Sequence, residues 1–134
     1  MLQIAYPKLW RIASFAGMAI VLTGTLIPPD WLWSNEPGNL LSVSDKWLHG
    51  ITFAVLTLWF SGQYAPSAYW RIVLGLLAFG LLIEICQRAT SYRSAEMADM
   101  LANALGITAG MLVAITGAGG WSPSFENWLL KRFG

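Results

Sequence analysis

Apolar positions gather into four long runs, each bounded by a short polar stretch. Leu9 to Ile27 is the first, entered through Lys8 with Arg11 just inside, and stopped by Pro28-Pro29. A signal peptide has a shorter core and a small-residue cleavage site, which Thr25-Leu26-Ile27-Pro28 does not supply, so a retained span is expected (9–27). A loop from Pro29 to Ser44 follows, carrying Asp30, Trp31, Trp33 and Glu36. The pattern then predicts a second span over 46–62, interrupted near its start by His49, with Ser44 or Asp45 as the N-cap oxygen. That span is close to the lower limit of about 17 residues for crossing a bilayer. Gln63 to Tyr69, with Pro66, predicts a tight turn, and third and fourth spans follow over 70–88 and 97–117. The tail, 118–134, sets Trp121, Phe125, Trp128, Leu129 and Phe133 among Lys131 and Arg132, the spacing of a short amphipathic helix on a membrane face. The expected architecture is all-α: one domain over 1–134, an integral membrane bundle of four transmembrane helices with a short C-terminal amphipathic helix.

Composition strengthens the membrane reading. Hydrophobic residues make up 56% of the 134 and charged residues 11%, against a usual charged share of roughly a quarter. A soluble globule with a mean hydropathy of +0.55 would lack polar surface. The net charge of +1 offers no basic stripe for nucleic acid. Cys86 is the single cysteine, so an intrachain disulfide is excluded and a thiolate cluster is not expected. The eight tryptophans fall near span ends or outside spans, as interfacial belts do. Lys8, Arg11, Arg71, Lys131 and Arg132 lie on one side of the expected topology. Lys46, Arg88 and Arg93 lie on the other, beside Asp30, Glu36, Asp45, Glu96 and Asp99. The positive-inside rule then places both termini in the cytoplasm.

Helical spacing sorts the few polar residues into stripes. Asp45, His49 and Thr52 share a face of the second span; Gly80, Glu84 and Gln87 share one on the third; Asp99, Asn103, Gly106 and Gly110 share one on the fourth. His49 and Asn103 fall about one turn after the starts of their spans and Glu84 about one turn before the end of its own. At a rise of about 1.5 Å per residue all three sit roughly 5 Å inside one boundary. The expectation is a polar pocket at the non-cytoplasmic end, roofed by the loop from Arg88 to Glu96. Gly106 and Gly110 form a G-x-x-x-G pair that lets a neighbouring helix approach closely.

Each residue has a plain structural role beside the functional one. His49 is an interfacial hydrogen-bonding imidazole, or a proton carrier or ligand group, since it changes charge near neutral pH. Glu84 pairs with Arg88 or Arg93, or handles protons. Arg93 snorkels, or its planar fork holds a phosphate or carboxylate. Asp99 serves the helix N-terminus, Asn103 makes an interhelical bond, and Gln87 joins the same network. No H-x-x-x-H spacing and no Ser/His/Asp signature is present, so neither a metal nor a cofactor is expected.

With these residues in view, the chain resembles the VanZ-like family of small membrane proteins. The matching pieces are S-D-K-W-L-H at 44–49, the E-x-x-Q of Glu84 and Gln87, R-S-A-E-M-A-D-M-L-A-N-A-L-G at 93–106, and the T-L-I-P-P that closes the first span. The resemblance covers about 22–113 and marks Asp45, Lys46, His49, Glu84, Gln87, Arg93, Asp99, Asn103 and Gly106. It implies a four-span bundle in a bacterial cytoplasmic membrane, linked in the founding member to resistance to the glycopeptide teicoplanin. Three functions are then in play. The pocket, with Lys46, His49, Arg88 and Arg93, engages the phosphate or sugar headgroup of a lipid-linked envelope precursor. Alternatively it hydrolyses or transfers such a lipid, with His49 and Glu84 as proton carriers. In the third, the polar cluster only fixes helix register in an accessory subunit. Membrane lipids are the expected surroundings, and oligomeric state is open.

Overall fold

Five α-helices account for most of the chain in a computed structural model that describes residues 1–28, 39–90 and 97–133, without the side chains of 39–45. They are α1 (Pro7–Leu26), α2 (Asn39–Gln63), α3 (Tyr69–Arg88), α4 (Met97–Val113) and α5 (Ser122–Phe133). A single 3-10 turn, Pro66–Ala68, joins α2 to α3. No strand occurs among the described residues.

By length and composition three helical stretches can cross a membrane: Pro7–Leu26, Pro66–Arg88 and Met97–Ala118. The protein is also inverted relative to a soluble fold. Among the described residues the buried set holds more polar side chains than apolar ones, whereas Ile12, Phe15, Ile51, Val55, Leu74, Leu81, Leu101 and Leu105 stand exposed. In lipid the apolar groups have no reason to hide, and the polar groups do.

α2 differs from expectation. It begins at Asn39 rather than near Lys46 and runs for 25 residues, about 37 Å at ~1.5 Å per residue and longer than a hydrocarbon core of about 30 Å. Ser44 and Asp45 are therefore interior to the helix and do not stand at its N-cap position. His49 lies ten residues into it, not one turn. The polar residues that lower its hydropathy are mostly turned inward: His49, Thr57, Ser61 and Gln63 are buried, while Trp47, Leu48, Ile51 and Val55 face outward.

α2 and α4 run parallel and form the most extensive helix pair among the described residues. A Cβ on Gly106 would collide with the Gly50 backbone carbonyl, and one on Gly110 would sit 2.7 Å from the Ala54 carbonyl and 2.8 Å from Thr57 Cβ. The two contacts advance together by one turn along both helices, which fixes the register.

α1 is held differently. Only 6% of its membrane-length window is buried, and polar bonds fasten it near both ends. Gln87 Nε2 donates to the Thr25 carbonyl at 3.1 Å. Trp59 Nε1 (2.9 Å) and Gln63 Nε2 (3.2 Å) donate to Ser14 Oγ. Between these bonds lies an apolar layer of Phe53, Leu56, Leu76, Phe79, Ile83 and Ile107, against which Met18, Val21 and Leu22 of α1 pack.

α4 gives way to a wider π turn at Ala114–Ala118, broken at Gly117 with φ 130°, and Gly120 follows at φ 69°. Both angles lie where only glycine is comfortable. The reversal brings Ser122 Oγ within 2.6 Å of the Gly62 carbonyl and starts α5. The fourth helical run thus reaches Ala118, close to the expected 117, with its last turn π rather than α. The expected loop residues Pro29 to Gly38, including Asp30, Trp31, Trp33 and Glu36, lie outside the described residues.

Candidate functional site

At the end of the bundle where α3 finishes and α4 begins, five polar side chains are buried: His49 from α2, Glu84 and Gln87 from α3, Asp99 and Asn103 from α4. None is more than 5% exposed, so water does not solvate them individually. His49 Nδ1 lies 3.1 Å from Asn103 Oδ1. An amide oxygen only accepts, so Nδ1–H is the donor in this bond. Gly80 of α3 makes room for this pair: a Cβ there would sit 3.0 Å from Asn103 Nδ2 and 3.4 Å from Phe53 Cζ.

Gln87 owes its place to the sequence of α1. The Thr25 carbonyl would ordinarily accept from the residue four ahead, but that residue is Pro29, which has no N–H. Pro28 likewise deprives Gly24, which is served instead by the Ile27 N–H at 3.4 Å. The proline pair thus ends α1, and the fully buried Gln87 amide donates to the Thr25 carbonyl. Gln87 Oε1 and Asn103 Nδ2 have no hydrogen-bond partner among the described residues. One is an acceptor and the other a donor, both inside the polar layer.

The His49–Asn103 bond makes a measurable prediction. In a double-mutant cycle of His49→Ala and Asn103→Ala, thermal unfolding in detergent should give a coupling of about 1 kcal/mol. A coupling near zero would mean that the bond contributes nothing to holding α2 against α4.

Other sequence-derived site residues are less enclosed or lie outside the described residues. Arg88 is exposed in the last turn of α3, and Lys46 is half-buried on α2. Thr52 is half-buried on the same helix. Arg93 and the 91–96 part of the expected roof lie outside the described residues, as does the side chain of Asp45. No group of three or more His, Cys, Asp or Glu that would hold a metal occurs among the described residues.

Sequence reasoning missed a second polar centre at the opposite end. Glu126 of α5 is buried, and its carboxylate accepts from the Ala5 N–H (2.6 Å), the Tyr6 N–H (3.0 Å) and Trp10 Nε1 (3.3 Å). Trp10, Trp59 and Trp121 cluster beside it with ring centroids 5.3 to 5.8 Å apart. Those three indoles pack on one another, whereas a belt reading assigns them to lipid. The available signal was Glu126 itself, the only acid in an otherwise basic and aromatic tail.

Comparison with known proteins adds one result. A family model described as VanZ/LLP1 matches residues 8–118, which includes every residue of the polar layer. No curated protein and no solved structure matches the chain.

Proposed function

The chain belongs to the VanZ/LLP1 family and is a membrane protein, and from that premise we propose that its polar layer binds the headgroup of a lipid-linked envelope precursor at the outer face of a bacterial cytoplasmic membrane. The observation that carries the reading is the pair of buried, unused polar atoms, Gln87 Oε1 and Asn103 Nδ2. An acceptor and a donor left unserved inside a protein cost stability, and a hydroxyl-bearing ligand such as a sugar satisfies both. The ring of His49 is bonded to Asn103, and the carboxyl groups of Glu84 and Asp99 are buried in the same layer. Arg88 and Arg93 suit a phosphate approaching from the membrane boundary.

Topology supports a four-span arrangement. Glu126 binds the backbone of Ala5 and Tyr6, so the two ends of the chain lie on one side. A chain whose ends meet on one side crosses an even number of times. With α1, α3 and α4 crossing, α2 supplies the fourth passage, its inward polar face explaining its modest hydropathy. The Lys and Arg distribution then sets both termini in the cytoplasm and the His49 layer outside. α5, with Phe125, Trp128 and Phe133 exposed and Arg132 over the Trp128 ring, lies along the inner interface.

One observation favours a catalytic variant of this reading. An imidazole oriented through Nδ1 by a neighbouring side chain is one part of the arrangement that general bases use. The test uses purified protein with an undecaprenyl-phosphate-linked sugar, and His49→Ala and Gln87→Ala variants shown to fold. Saturable binding weakened about tenfold or more in both variants supports the headgroup site. Turnover abolished in His49→Ala supports the enzyme. Unchanged binding and no turnover reduce the layer to a device for helix register. A link to teicoplanin resistance is tested separately, by whether cells expressing the protein tolerate more teicoplanin than cells expressing His49→Ala.

A further inference from the structure

A cavity of about 410 Å³ lies at the opposite end from the polar layer, between α1, α2 and α3. Its deep part is lined by Met18, Phe60, Ile72 and Leu76, and its shallow part by Tyr64 and Arg71. Arg71 is two residues into α3, and Leu76 is roughly 8 Å further along the same helix. The space therefore changes from polar to apolar with depth. The Met1 side chain forms part of the wall, held there by a chain segment whose Leu2 N–H donates to the Gln63 carbonyl at 2.8 Å.

Arg71 is exposed and has no acidic partner among the described residues; its guanidinium lies 5.2 Å from the centre of the Trp70 ring. Gly75 lines the cavity, and a Cβ there would meet nothing within 4 Å. A glycine in mid-helix costs about 1 kcal/mol relative to alanine. Here it keeps the cavity open and serves no close contact.

We propose that this cavity is a binding site for one anionic glycerophospholipid, its phosphate on Arg71 and an acyl chain between α1 and α3. A volume of this size is in the range of built ligand sites, roughly 300 to 1,000 Å³. The gradient of polarity matches an amphiphile standing in its own leaflet. A guanidinium at the mouth favours an anionic headgroup over a zwitterionic one. The lipid also adds packing to α1, only 6% of whose membrane-length window is buried in protein.

The test is native mass spectrometry of the full chain released from vesicles of equimolar phosphatidylglycerol and phosphatidylcholine. The wild type is expected to retain one lipid, with phosphatidylglycerol preferred about tenfold, the value of one charge-assisted hydrogen bond. Arg71→Gln should keep a bound lipid but lose the preference. Gly75→Leu fills the cavity and should lose the lipid while leaving the helix content by circular dichroism unchanged. Equal retention of the two lipids by the wild type overturns the proposal, as does a preference that survives Arg71→Gln. Lipid retained by a folded Gly75→Leu overturns the acyl-chain placement, and should that variant not fold, Arg71→Gln decides alone.

Discussion

Gly106→Ala is expected to lower the stability of the protein by about 3 kcal/mol or more, a large effect for one methyl group. The added Cβ meets the Gly50 carbonyl of α2, and backbone cannot swing aside as a flexible side chain does. α2 and α4 must separate, and the next contact, Gly110 against Ala54, loosens with them. Because His49 directly precedes Gly50 and Asn103 lies about one turn before Gly106, their 3.1 Å bond lengthens too. Thermal unfolding in detergent, followed by circular dichroism, measures the loss. Gly17→Ala and Gly24→Ala are the matched controls, since a Cβ at either position meets nothing within 4 Å. Both should be neutral or slightly stabilising, by up to about 1 kcal/mol of helix propensity. Equal losses at Gly106 and Gly17 would remove close backbone approach as the cause.

Glu126→Ala should release the N-terminal segment. Its carboxylate serves two backbone N–H groups and one indole N–H while itself buried. Removing it strands three donors, and bonds to a charged acceptor are worth about 1.5 to 3 kcal/mol each before relaxation. We expect a net loss of about 2 to 4 kcal/mol once water reaches Ala5 and Tyr6. Amide hydrogen exchange at those two residues should quicken at least a hundredfold, with little change in the α2–α4 pair. Glu126→Gln, which keeps one acceptor oxygen, should fall between the two. If exchange at Ala5 and Tyr6 is unaltered in Glu126→Ala, the carboxylate does not hold the segment.

The all-helical character and the membrane-length runs were legible because both rest on long patterns of apolar residues. The start of α2 was not. Ser44, Asp45 and Lys46 are polar, and a run of polar residues ordinarily marks a boundary; here the backbone stays helical through them from Asn39. The stripe of Asp99, Asn103, Gly106 and Gly110 could be read because i, i+4 spacing survives any tertiary arrangement. What that stripe faces could not, since it depends on which helix lies alongside. Gln87 was assigned to a polar network by its spacing alone. Its bond to the Thr25 carbonyl follows from two prolines sixty residues earlier and needs the fold to bring them together. Glu126 escaped notice for a related reason: a lone acid in a basic, aromatic helix looks like a surface residue until the N-terminal segment covers it.

The layer of Phe53, Leu56, Leu76, Phe79, Ile83 and Ile107 has a thermodynamic consequence. Polar groups stand on either side of it, and its six side chains are buried and apolar. A charged group crossing this layer would give up its water for hydrocarbon, with nothing in the layer to replace the lost hydrogen bonds. The stopper thus divides the interior of the bundle into two polar compartments.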